Sequence, residues 1–136
     1  MALVRASLTL SSADVLTSPL SITTTSNLNC DSGSLIRAKV KGTATGTDDM
    51  AIYIANQCSE RAYLYLKNLE TELENYVYIY NDTDSDGMVA KIAGGEFAFV
   101  PVAVDKKYVV YATRVDSMVE YGVFGNDNSS APYGGT

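Results

Sequence analysis

Alternation of apolar and polar residues with a period of two runs through almost the whole chain. Successive side chains of a strand point to opposite faces of a sheet, so this pattern calls for half-buried strands and leaves little room for helix. Val4, Ala6, Leu8 and Leu10 alternate with Arg5, Ser7 and Thr9, and Ile36, Ala38 and Val40 alternate with Arg37, Lys39 and Lys41. The same spacing predicts strands over Met50–Ala55, Ala62–Asn68, Tyr76–Asn81, Met88–Ile92, Glu96–Val102, Lys107–Thr113 and Met118–Phe124, about nine of ordinary length in all. Turn chemistry separates them: S-S-A-D at 11–14, N-C-D-S-G at 29–33, G-T-A-T-G-T-D-D at 42–49 and the Gly94-Gly95 pair. Many short strands with glycine and aspartate turns read as an all-β fold, a single antiparallel β-sandwich or barrel of jelly-roll type. K-N-L-E-T-E-L-E-N at 67–75 has leucines four apart but is too short to stand as a helix, and reads as a hairpin connection.

The chain has 136 residues, enough for one domain with a core of its own, expected over 1–125. The polar segment 126–136, N-D-N-S-S-A-P-Y-G-G-T, reads as a flexible arm. A net charge of −6 argues against a sequence-independent hold on nucleic acid. The longest apolar run, Phe97 to Val104, contains Pro101 and falls far short of the roughly 20 residues of a membrane helix. The start lacks the unbroken apolar stretch of an export signal, so a soluble protein made in a cytoplasm is expected. There is no histidine, which removes the commonest general base and zinc ligand. Cys30 and Cys58 lack the spacing of a zinc site and read as two free, buried thiols.

Two features raise the question of a site. In N-D-T-D-S-D-G, Asp82, Asp84, Asp86 and Gly87 match the first half of an EF-hand loop, but Ala93 stands where the bidentate glutamate belongs. Three carboxylates and a carbonyl suffice for a weak calcium site; the same residues also make an ordinary turn with no ion. The second feature is Tyr63 and Tyr65 in one segment and Tyr76, Tyr78 and Tyr80 in the next, each alternating with aliphatics. If the two strands pair across the 69–75 turn, their tyrosines form a single patch. Such a patch serves as a buried second sheet face, a subunit interface or a sugar-stacking surface. No nucleophile constellation stands out.

The series Y-L-Y-L-K-N (63–68), G-G-E-F-A-F-V-P-V (94–102) and V-E-Y-G-V-F-G (119–125) resembles small virion proteins of tailed bacteriophages, capsid decoration or cement proteins in particular. The resemblance covers roughly Tyr63 to Gly125. It implies a non-enzymatic sandwich without a required cofactor, made in the host bacterial cytoplasm and carried on the capsid surface. Its partners would be the major capsid protein and copies of itself, as a homotrimer. It also implies that the first strand, with Leu3 and Arg5, and the tail, with Tyr133, reach another chain. A tail, baseplate or adaptor component is the alternative within that world, and a carbohydrate-binding module the alternative outside it.

Overall fold

The computed structural model describes residues 2–42, 50–82, 87–112 and 114–127, and these form ten strands with no helix among them. In chain order they are β1 (Ala2–Ser12), β2 (Leu20–Cys30), β3 (Ser32–Val40), β4 (Met50–Tyr53), β5 (Cys58–Asn68), β6 (Val77–Asn81), β7 (Met88–Ile92), β8 (Phe97–Val102), β9 (Tyr108–Ala112) and β10 (Ser117–Asp127). β1 and β2 make a two-stranded hairpin of their own. The other eight form two four-stranded antiparallel sheets, ordered β3-β10-β5-β8 and β4-β9-β6-β7. The pairings are nested: β3 with β10, β4 with β9, β5 with β8 and β6 with β7. β5–β10 and β6–β9 contacts then join the pairs into sheets. This is the wrapped ribbon of a jelly roll.

The inward parities of the two sheets fill one core. Val40, Leu64, Leu66, Val119 and Val123 from the first sheet pack with Ile52, Val77, Ile79, Ile92 and Val110 from the second, all buried. Each such side chain contributes about 1.5–3 kcal/mol relative to exposure. The polar side chains of Tyr53 and Asn68 inside the sandwich are paired, as the low dielectric requires. Tyr53, fully buried, donates its hydroxyl to the Val104 carbonyl at 2.9 Å and accepts the Cys58 amide at 3.2 Å. Asn68 closes one end of the core: its Nδ2 donates to the carbonyls of Asn75 (2.7 Å) and Ile92 (3.0 Å), and its Oδ1 accepts the Glu70 amide at 3.0 Å. The lysine-asparagine that ends β5 is thus a structural knot. Gly95, at φ +84° in the turn before β8, sits in the left-handed region open to glycine.

The described residues form ten strands where about nine were expected, the addition being β2. One sequence expectation is corrected: β5 and β6 do not pair across residues 69–75. They belong to different sheets, and the connection crosses from one layer to the other. Both strands turn their aliphatics into the shared core, so Tyr63 and Tyr65 point out of one side of the sandwich and Tyr78 and Tyr80 out of the other. The single tyrosine patch does not exist.

Candidate assembly surface

Cross-strand register defines the outer face of the β3-β10-β5-β8 sheet as three rows. Gly33, Phe124, Tyr63 and Pro101 form the first; Leu35, Gly122, Tyr65 and Phe99 the second; Arg37, Glu120, Lys67 and Phe97 the third. The face is aromatic at its centre. Tyr63 and Phe99 lie parallel within 5°, with ring centroids 5.9 Å apart. Phe124 lies over two glycines: a Cβ on Gly33 would stand 2.7 Å from its ring, and one on Gly122 2.9 Å. Backbone without side chains thereby makes room for a ring that would otherwise stand off the sheet. The flanks of the face are open, with Leu35 60% and Phe97 61% exposed, while Tyr63, Tyr65 and Phe124 at its centre are half-buried.

Charge brackets the aromatic centre. Glu120 holds Arg37 through an Nε–Oε2 contact of 3.1 Å and accepts the Tyr65 hydroxyl on its other oxygen at 3.1 Å. The hydrogen bond from Arg37, followed by that from Tyr65, holds the Glu120 carboxyl below the usual range. Burial, and then the hydrogen bond to Glu120, pushes the Tyr65 phenol up. Arg37, Lys39, Arg61 and Lys67 stand around the face against this one carboxylate, a basic surface on a chain of net charge −6.

Above this face stands the hairpin. All eleven residues of β1 are matched by β2, from Ala2–Cys30 to Ser12–Leu20. Val4, Ala6, Leu8 and Leu10 on one strand, with Leu20, Ile22 and Leu28 opposite, make an apolar stripe along one side. Between hairpin and sheet runs an open groove of about 810 Å³, lined by Val4, Ala6, Leu8 and Leu10 on the hairpin side and by Leu35, Tyr65, Phe97, Phe99 and Phe124 on the sheet side. Leu3 and Arg5 lie on the other side of β1; Leu3 is exposed, and Arg5 also borders the groove, as does Glu120. Cys30, at the base of the hairpin, is buried beside Phe124 and Leu35, and burial, with Asp31 next to it, pushes its thiol up. Cys58 is buried too, with its sulfur beneath Gly125, and the two cysteines are thiols rather than a disulfide pair.

The opposite outer face, on β4-β9-β6-β7, carries the other tyrosines. Tyr78 stacks on Tyr111 at 5.1 Å, Tyr80 leans on Tyr111 at 5.2 Å, Tyr76 leans on Tyr78 at 6.4 Å, and the Lys91 ammonium lies 4.2 Å from the centre of the Tyr76 ring. Burial, the hydrogen bond with Tyr80 and the neighbouring phenols push Tyr111 up to about 12. These rings spend their faces on one another.

Of the aspartate loop, Asp82 is described and Asp84 and Asp86 lie outside the described residues, as does Tyr133. Asp82 meets Lys107 at 3.4 Å, and its amide donates to the Lys107 carbonyl at 2.8 Å. Among the described residues no group of three or more acidic or cysteine side chains is gathered for a metal ion, and no helix is long and apolar enough to cross a membrane. Glu70 spends one carboxylate oxygen on the Met118 amide at 2.9 Å. Sequence reasoning missed Leu35, Phe97, Phe99 and Phe124 as surface residues. The available signal was that both parities of β8 are apolar, so a strand with one side in the core leaves aromatics on the other.

No protein-family model matches the chain, and no curated protein matches it. Among solved structures, a chain from Bacillus endospore appendages, disulfide-linked pili, is similar over 75% of this chain and 100% of that one, at 19% identity and a TM-score of 0.44. A likeness of that size is too slight to bear on fold or function.

Proposed function

We propose that this is a non-enzymatic structural protein that works by covering surface on an assembly, and specifically a decoration protein of a tailed-phage capsid. The observation that carries the reading is the uncovered aromatic face with its basic rim. An exposed apolar patch of this kind marks an interaction surface, and aromatics with arginine are the side chains that anchor interfaces. Polar groups at the ends of the sandwich, Asn68, Glu70 and Glu96 among them, are occupied by backbone partners, so they serve the fold. The resemblance of segments 63–68, 94–102 and 119–125 supplies the phage setting, with the major capsid protein and copies of the chain itself as partners.

The test is sedimentation with assembled shells of the accompanying major capsid protein. The expected result is that the protein travels with shells, and that Phe99→Asp stays at the top of the gradient while keeping its circular dichroism spectrum. Wild-type protein that never travels with shells would overturn the capsid reading. The parallel Tyr63 and Phe99 rings favour one second reading, a sugar-stacking platform. Saturable binding to a polysaccharide, lost in Tyr63→Ala, would favour it instead.

A further inference from the structure

We propose that the partner of the aromatic face is the β1–β2 hairpin of a second copy of this chain, each molecule giving its hairpin and receiving the other's. The pairing deepens the reading of that face as an assembly surface and rests on it.

Four observations lead there. First, the hairpin lacks a support. An isolated two-stranded hairpin is marginal in water, yet the apolar stripe of this one is left open, with Leu8 46%, Leu10 45% and Ile22 44% exposed. Second, the stripe and the aromatic face look at each other across the groove without closing it. The reason lies in the joint. β2 ends at Cys30 and β3, a strand of that same sheet, begins at Ser32, leaving Asp31 alone between them, pinned by its amide to the Gly125 carbonyl at 2.8 Å. One residue spans at most about 3.6 Å, whereas packed β layers stand about 10 Å apart. The chain therefore cannot climb from β3 to a layer lying flat on β3's own sheet, and its hairpin stays splayed at the base. A hairpin arriving from another molecule has no such tether.

Third, little charge has to be buried. Arg5 is the one charged residue in the two hairpin strands, and Glu120, the one carboxylate of the face, is already held by Arg37 and Tyr65. Fourth, the area suffices only if the exchange is mutual. A hairpin of eleven-residue strands presents a side of roughly 37 by 10 Å, about 350 Å². Two such sides with the two patches they cover bury about 1,400 Å², within the range of stable interfaces, whereas one-way docking buries about half of that. Exchange of identical elements is a low-cost route to a dimer.

The experiment is light scattering after size exclusion on the full chain, together with disulfide trapping. Wild type is expected at the mass of a dimer, and Leu8→Asp with Leu10→Asp, both exposed positions, at half that mass with an unchanged circular dichroism spectrum. Phe97→Asp, on the receiving side, repeats the test should the hairpin variant fold poorly. Tyr78→Ser, on the opposite face, is expected to stay dimeric. Mixing Leu8→Cys chains with Phe97→Cys chains is expected to give a disulfide-linked heterodimer. A monomeric wild type at every concentration reached, or a dimer untouched by both aspartate variants, overturns the exchange. A monomer that still sediments with shells would sink the exchange and keep the structural role, while an exchanging dimer that ignores shells would do the reverse.

Discussion

Glu120 shows how one residue ties the assembly face together. It neutralises Arg37 and orients the Tyr65 hydroxyl, two groups that frame the aromatic centre. Its carboxyl is held below the ordinary value by those partners, so the folded state favours the ionised form. The stabilisation is therefore complete above the unfolded glutamate value near about 4.3 and fades as pH falls through the lower folded value. The expected outcome for Glu120→Gln is a lower melting temperature than wild type near pH 7, with the gap closing as pH drops toward about 3. A gap that stays constant across that range would mean that the carboxylate charge plays no part. The sequence marks glutamate-tyrosine in the last strand as a motif, but Arg37 lies 83 residues away and only the sheet brings it across.

At the scale of elements, the hairpin is the segment whose order depends most on company. Strands buried in the sandwich should exchange their amides slowly, whereas a hairpin with an uncovered apolar side opens easily. In hydrogen exchange, β1 and β2 are expected to gain protection as protein concentration rises, while β5, β6 and β10 stay slow throughout. Hairpin protection independent of concentration would argue that the hairpin closes on its own molecule. β2 escaped sequence reading for a physical reason: S-I-T-T-T-S-N has strand-forming threonines but little apolar alternation. The sheet assignment of β5 and β6 escaped for another. Alternation tells which residues face inward and not which strand lies alongside, and the inward set Leu64, Leu66, Val77 and Ile79 is the same whether the strands pair or face each other. The aromatic face was hidden in the same way, as residues of four strands far apart in the chain meet in each of its rows.

For the whole molecule, the all-β class and the sandwich were legible because period two is a property of each strand, while the wrapping that brings Arg37, Tyr65 and Phe99 together is a property of the topology. The thermal melt of the whole sandwich also tests the aspartate loop: with Asp82 engaged by Lys107, a chelator is expected to leave the melting temperature within about 1 °C. A rise of several degrees on adding calcium would show an ion held by the loop. The nested pairings carry a further consequence, for the order of events during synthesis. β3 must wait for β10, its neighbour in the sheet, so the first sheet cannot close until the strands β4 to β9 and then β10 have left the ribosome. The strands of the β1–β2 hairpin are neighbours in the chain and can pair as soon as β2 has emerged, long before any sheet is there to support them. Each nascent chain therefore offers a hairpin that has only the finished sheet of another molecule to settle on.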